Sequence, residues 1–245
     1  MTLLIELIFL SLTLIFILLS YIFFILKRDF HKLFLIISFI FFLFWLVFRS
    51  MIVLRLPFSN SYESILFFGF LYFTKFLFFG NYKDKDRMII LIPVTFFLII
   101  ALFLPLDLKI PKLLSPALRS FWMYIHIPAY FFGYVSLTSL FILSGLSLFL
   151  KKEVKNQIIS EQKQSFFFMT VGMVTGAFWG DLSWGRFWGW DPKEIWALVT
   201  WLILAATFHI KHDKVKYLFF ALSFFSMLFT YFGVMFLFSG LHSYK

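Results

Sequence analysis

The chain has 245 residues, 62% of them hydrophobic and 14% charged, whereas soluble domains average about 45–50% apolar and about 25% charged residues. That composition excludes an ordinary water-soluble domain and implies membrane spans of roughly 20 apolar residues each. Cysteine is absent, which excludes disulfides, thiolate-bound zinc, iron–sulfur clusters and thiol redox chemistry by this chain, and the net charge of +10 lies in loops, as topology-setting lysines do, rather than on a polar domain suited to nucleic acid.

Hydropathy predicts eight spans, at approximately 3–26, 33–48, 65–79, 88–104, 121–150, 165–180, 195–210 and 217–239. The expected fold is an all-α polytopic membrane helical bundle of about eight transmembrane helices, in a single domain over 1–245. The first span, from Leu3 to Leu26, lacks a basic leader and a small-residue cleavage site, so it reads as retained rather than as a signal peptide. The segment 121–150 is long enough to tilt or to project from the bilayer. The 41 phenylalanines, with the many Ile and Lys residues, read as codon composition rather than chemistry.

Lys and Arg divide unevenly between the two sets of loops. Loops 27–32, 80–87, 151–164 and 211–216 hold 13 of them; loops 49–64, 105–120, 180–194 and the tail from Leu241 hold 8. The richer set faces the cytoplasm. Both termini and the loop 180–194 are then expected outside, in a bacterial cytoplasmic membrane or, alternatively, a thylakoid membrane.

The stretch 178–196 is the most unusual in the chain, with five of the eight tryptophans. Trp184, Trp188 and Trp190 are interleaved with Gly185 and Gly189, and glycine lets a backbone turn tightly and approach a flat surface. Asp191-Pro192 with Glu194 predicts a helix start, with Asp191 as N-cap and Pro192 in the first helical position. One reading is an aromatic belt at the membrane interface. The other is a platform for a large, planar, partly apolar ligand, a description that heme and quinones both meet.

Imidazole is the commonest protein ligand of heme iron and also an acid or base. His126 lies at the start of span five and His242 after span eight, both on the side of the tryptophan stretch. Flanking an aromatic shelf, they are candidates for the two axial ligands of one heme. His209 is expected near the inner end of span seven, about 14 residues from Ile195 and hence roughly 21 Å away, too far to join them. An ionisable residue at that depth is a candidate functional group in need of a partner. His31 and His212 are expected in solvated basic loops.

These residues carry a family resemblance. Trp184-Gly185-Arg186-Phe187-Trp188-Gly189-Trp190-Asp191 resembles the tryptophan-rich WWD signature of heme-handling membrane proteins. Its continuation, Pro192-Lys193-Glu194 followed by Trp196-Ala197-Leu198 and Thr200-Trp201, resembles the CcsA (ResC) branch. Pro57 to Ser64 resembles that branch's Pro-x-Ser-Asn-x-Tyr-Glu-Ser stretch, and Gly240 to Tyr244 resembles its Gly-Leu-His-Ser-Tyr ending. The resemblance implies a subunit of the System II cytochrome c synthase that moves heme b outward and attaches it covalently to an apocytochrome c bearing a Cys-x-x-Cys-His motif.

By the same resemblance His126 and His242 are the outer iron ligands, and Trp184, Trp188, Trp190 and Asp191 position the macrocycle. His209 then shares an inner heme site with a histidine of a separate CcsB (ResB) subunit. No catalytic group distinct from the heme site is expected. A non-catalytic heme exporter usually has fewer spans and lacks the Pro-Lys-Glu continuation. A b-heme electron-transfer subunit calls for histidine pairs at matched depth.

Overall fold

The computed structural model describes residues 2–79, 84–111, 114, 119–150 and 153–237. Every regular element among them is helical, and the chain divides into two compact units, Met1–Leu114 and Ser115–Lys245. Six helical stretches are long and apolar enough to cross a membrane: Thr2–Ile25, Phe30–Val53, Ser61–Phe79, Asp84–Phe103, Met123–Leu150 and Asp213–Gly233. The protein is an all-α polytopic membrane bundle.

In the N-terminal unit, α1 (Thr2–Ile25) and α2 (Phe30–Val53) form a hairpin. Phenylalanines form its seam: Phe16 stacks on Phe41 at 5.5 Å and on Phe34 at 6.0 Å, and Phe23 meets Phe34 at 4.9 Å. The Phe bias is thus used in packing. Leu4, Ile8, Ile15, Leu18 and Ile22 stay exposed on α1, an apolar outer surface of the kind a lipid-facing helix has. The unit continues with α3 (Ser61–Thr74), extended by a π-helical turn over Lys75–Phe79, then α4 (Asp84–Ile90), α5 (Ile92–Phe103) and the short α6 (Leu106–Lys109).

A charged network sits inside this unit. Arg49, Glu6 and Glu63 are at most 1% exposed. The Arg49 guanidinium donates to Glu63 Oε1 from Nε at 3.1 Å and from Nη2 at 2.9 Å. Its Nη1 donates to Glu6 Oε1 and to the Lys109 carbonyl, both at 3.0 Å. Arg55 donates to Glu63 Oε2 at 2.8 Å, and the Tyr62 hydroxyl to Glu6 Oε2 at 3.2 Å. Arg49, placed by hydropathy in a loop, is therefore a buried residue of α2.

The Pro57–Ser64 stretch gains its physical meaning here. The Asn60 side chain caps α3 by accepting from the Glu63 N–H at 2.8 Å, Ser59 donates to Glu63, and Tyr62 and Glu63 join the network. Lys109, 3% exposed, donates to the Leu102 carbonyl at 2.7 Å, and burial lowers its ammonium pKa.

His31 also departs from expectation. It lies in α2, 7% exposed, with Nδ1 donating to the Arg28 carbonyl at 3.0 Å and Nε2 3.8 Å from Asp84. The helix starts at Phe30, three residues before the predicted span, and so draws the imidazole under α1.

The C-terminal unit contains α7 (Met123–Leu150), α8 (Lys155–Trp184), α9 (Pro192–Ala206), α10 (Asp213–Leu228) with a π-helical turn at Phe229–Gly233, and α11 (Val234–Leu237). Span six is predicted over 165–180, but α8 is 30 residues long. Its polar first turns, with Lys155, Gln157, Glu161, Gln162 and Lys163, are hidden from a hydropathy window yet are good helix formers. Span seven corresponds to α9, which has 15 residues.

Polar contacts hold the later helices in register. Gln162 donates to Thr207 Oγ1 and the Trp201 indole to Thr170 Oγ1, both at 2.8 Å. Thr200 meets Ser226 at 2.8 Å, and Phe141 stacks on Phe224 at 4.4 Å.

Candidate functional site

The antiparallel pair α7–α8 has a seam of small residues. A Cβ on Gly133 would meet Met169 at 2.7 Å, one on Gly172 would meet Tyr130 at 2.6 Å, and one on Gly176 would meet His126 at 2.5 Å. Gly172 and Gly176 form a Gly-x-x-x-Gly step, which in membrane helices lets a neighbouring helix approach closely. Here the space is filled by two rings of α7, His126 and Tyr130.

His126 is held by a defined bond. Its Nδ1 lies 2.8 Å from the Gly172 carbonyl oxygen. A carbonyl oxygen only accepts, so Nδ1 carries the proton and Nε2 is the basic nitrogen of the neutral ring. Metal-ligating histidines are oriented in this way, the far nitrogen donating to a carbonyl or carboxylate. The ring is walled by Tyr130 at 5.0 Å and Trp179 at 5.4 Å between centroids.

The tryptophan stretch is less of a loop than the sequence suggests. Residues 178–184 are the last turns of α8, and irregular backbone is confined to 185–191. Gly185 ends the helix in the left-handed conformation, φ 70°, its N–H donating to the Asp181 carbonyl at 2.8 Å. The left-handed region favours glycine at such C-terminal positions. The segment then folds back, bringing the Arg186 carbonyl 3.2 Å from where a Gly180 Cβ would stand. Phe187 meets Phe178 at 5.8 Å, and Phe178 stacks on Trp122 at 4.9 Å.

Trp184, the last residue of α8, lies 6.4 Å from Trp179. Trp188 and Trp190 make an edge-to-face pair at 6.0 Å, and Trp190 is 67% exposed with φ 57°. A bulky residue in that region is a genuine outlier, and such outliers concentrate at functional sites.

Asp191 caps α9 as predicted. Its carboxylate accepts from the Lys193 N–H at 2.9 Å, while Glu194 Oε2 accepts from the N–H groups of Gly189 at 2.7 Å and Asp191 at 3.2 Å. This reciprocal capping box ties the tryptophan segment to the helix. Asp191, 7% exposed, fixes where Trp188 and Trp190 stand.

His209 corrects its expected position. α9 ends at Ala206, and His209 lies three residues beyond it in a hydrogen-bonded turn, its N–H donating to the Ala206 carbonyl at 3.1 Å. Its side chain is exposed. Thr207 closes the helix with its hydroxyl on the Leu204 carbonyl, which shortens the helix below the hydropathy estimate. His242 lies outside the described residues.

The geometry adds residues that sequence reasoning passed over. Trp179 is 7% exposed, and its indole nitrogen has no hydrogen-bond partner among the described residues. Tyr130 packs on Tyr134 at 5.4 Å. The ammonium of half-buried Lys193 stands 5.9 Å from the Tyr231 ring centroid. The four-residue spacing of His126, Tyr130 and Tyr134, and the Gly-x-x-x-Gly step at 172–176, were legible signals for part of this set.

The family described as Cytochrome C assembly protein matches residues 58–242. The cytochrome c biogenesis protein CcsA of Welwitschia mirabilis is 33% identical, over 81% of this chain and 81% of its own length. That of Prochlorococcus marinus (strain MIT 9515) is 30% identical, over 89% of this chain and 84% of its own. Among solved structures, the cytochrome c heme lyase CcmF superposes with a TM-score of 0.67 at 18% identity, covering 93% of this chain. The chain spans 45% of that protein's length, and the likeness is one of fold.

Proposed function

This chain belongs to the CcsA family of cytochrome c biogenesis proteins, and from that premise we propose that it presents heme b on the outer face of a bacterial cytoplasmic or thylakoid membrane for covalent attachment to apocytochrome c. The observation that carries this reading is the His126 bond to the Gly172 carbonyl, which supports Nε2 as the nitrogen for iron at an aromatic-walled end of α7 and α8. His126 supplies one axial ligand and His242 the other. Trp184, Trp188 and Trp190 offer ring faces to the macrocycle. Asp191 holds that segment against α9.

The chemistry needs little from the protein beyond placement. Each thiol of the Cys-x-x-Cys-His motif adds across a heme vinyl group: a carbon–sulfur bond forms, and the thiol hydrogen ends on the neighbouring vinyl carbon. No oxidant or reductant is consumed in the addition. The chain supplies no thiol of its own, since it has no cysteine. Axial histidines tune the iron during the transfer. The subunit acts with a CcsB/ResB-type partner, and exposed His209 faces that partner at an inner heme site.

His126→Ala and His126→Gly test the assignment. Both are expected to lower copurified heme and cytochrome c assembly by at least about tenfold, with partial recovery in the glycine variant on adding imidazole. Full assembly and an unchanged heme spectrum in both variants would remove His126 from the site.

A further inference from the structure

Lys193 is a half-buried cation of the site with no ion pair among the described residues. It projects from the first turn of α9, half-buried, with its ammonium over the Tyr231 ring. Among the described residues no carboxylate comes within ion-pair distance of it. The nearby acids are engaged elsewhere: Asp191 accepts from the Lys193 N–H, and Glu194 accepts from Gly189 and Asp191. A partly desolvated ammonium resting on a ring is stabilised less than one that also meets an anion.

Aromatic contacts connect this cation to the candidate iron ligand. His126 meets Tyr130 at 5.0 Å, and Tyr130 meets Tyr134 at 5.4 Å. Phe131, which follows Tyr130 in α7, meets Tyr231 at 6.5 Å, and Tyr231 lies under Lys193. A π-helical turn places Tyr231 there, and such turns recur at functional sites. A second donor, the buried Trp179 indole beside His126, also lacks an acceptor among the described residues. The constellation has a basic nitrogen, ring walls and unmatched donors. It lacks an anion.

We propose that Lys193 is the carboxylate-binding residue of the site, pairing with a propionate at the rim of the tetrapyrrole whose iron His126 ligates. This rests on the heme reading above and extends it to substrate recognition. The pair orients the ring: with one propionate edge at Lys193, the opposite edge, which carries the vinyl groups, turns away toward an incoming thiol. The contrasting role for such a lysine is snorkelling, its stem on apolar surface and its head in water. A snorkelling lysine is indifferent to whether the ligand carries carboxylates.

The test uses the full-length chain in lipid nanodiscs, titrated with heme and with heme dimethyl ester and read by the Soret band. Wild type is expected to favour heme over the ester by at least about tenfold, the ratio one charge-assisted pair supports. Lys193→Gln should lose that preference with ester affinity unchanged, which also shows that the variant is folded, and Lys193→Arg should keep most of it. A preference that survives in Lys193→Gln, while His126→Ala still abolishes the spectrum, overturns the Lys193 assignment alone. A heme spectrum indifferent to His126→Ala overturns the underlying reading of the site.

Discussion

Each unit holds a cationic site among its helices, one around Arg49 and one at Lys193, and the two are satisfied differently. In the N-terminal unit Arg49 and Arg55 meet Glu6 and Glu63 in three ion pairs. In the C-terminal unit Lys193 rests on Tyr231 with no carboxylate among the described residues, and the Trp179 indole has no acceptor there. A charge inside a membrane bundle is costly unless paired. The closed network therefore reads as scaffold, and the open constellation as a place where an external molecule completes the pairing.

The sharpest way to break that contrast is at Arg49. Arg49→Met leaves Glu6 and Glu63 buried, and removing one partner of a buried ion pair costs about 3–5 kcal/mol. Arg49→Lys should fail nearly as badly, because one ammonium cannot reproduce a guanidinium fork that reaches two carboxylates and a carbonyl. Thermal unfolding in detergent measures both. An unchanged midpoint would show that the network is not scaffold.

Gly176→Ala probes the other side with a single methyl group. The new Cβ would stand 2.5 Å from His126 Cε1 and Nδ1, so the ring must swing away and lose its bond to Gly172. Overpacking of this kind costs about 1–3 kcal/mol, and heme occupancy should fall further than overall stability does. Gly145→Ala is the control, since nothing lies within 4 Å of its Cβ position. If both variants retained equal heme, His126 would not need its seat.

The smallest effect is expected at Asp191. Asp191→Ala removes a cap worth about 0.5–2 kcal/mol and frees the Trp188–Trp190 segment, while Asp191→Asn keeps the acceptor. Tryptophan fluorescence and assembly activity should change together in the alanine variant and little in the asparagine one. Equal losses in both would assign the Asp191 charge a direct role at the ligand.

Local chemistry along the chain determined a good deal of this protein. Apolar runs set the membrane helices, because a backbone in lipid must bond to itself. Asp191-Pro192 with Glu194 announced the start of α9, since a capping box depends on residues only three apart. Span ends were read less well. Hydropathy placed His209 within a span, whereas the hydroxyl of Thr207 closes α9 before it. It left His31 in a solvated loop and Arg49 in another, whereas both are buried in α2.

Tertiary structure alone decided which distant groups meet. That Glu6 and Glu63 converge on one guanidinium, that the Gly172 carbonyl selects the tautomer of His126, and that Lys193 reaches Tyr231 rather than a carboxylate all depend on helix packing. The sequence separations between those groups carry no periodic signal. Pairing across a bundle is fixed by where small residues let two backbones approach and by which buried donors find acceptors, and those are properties of the assembled helices.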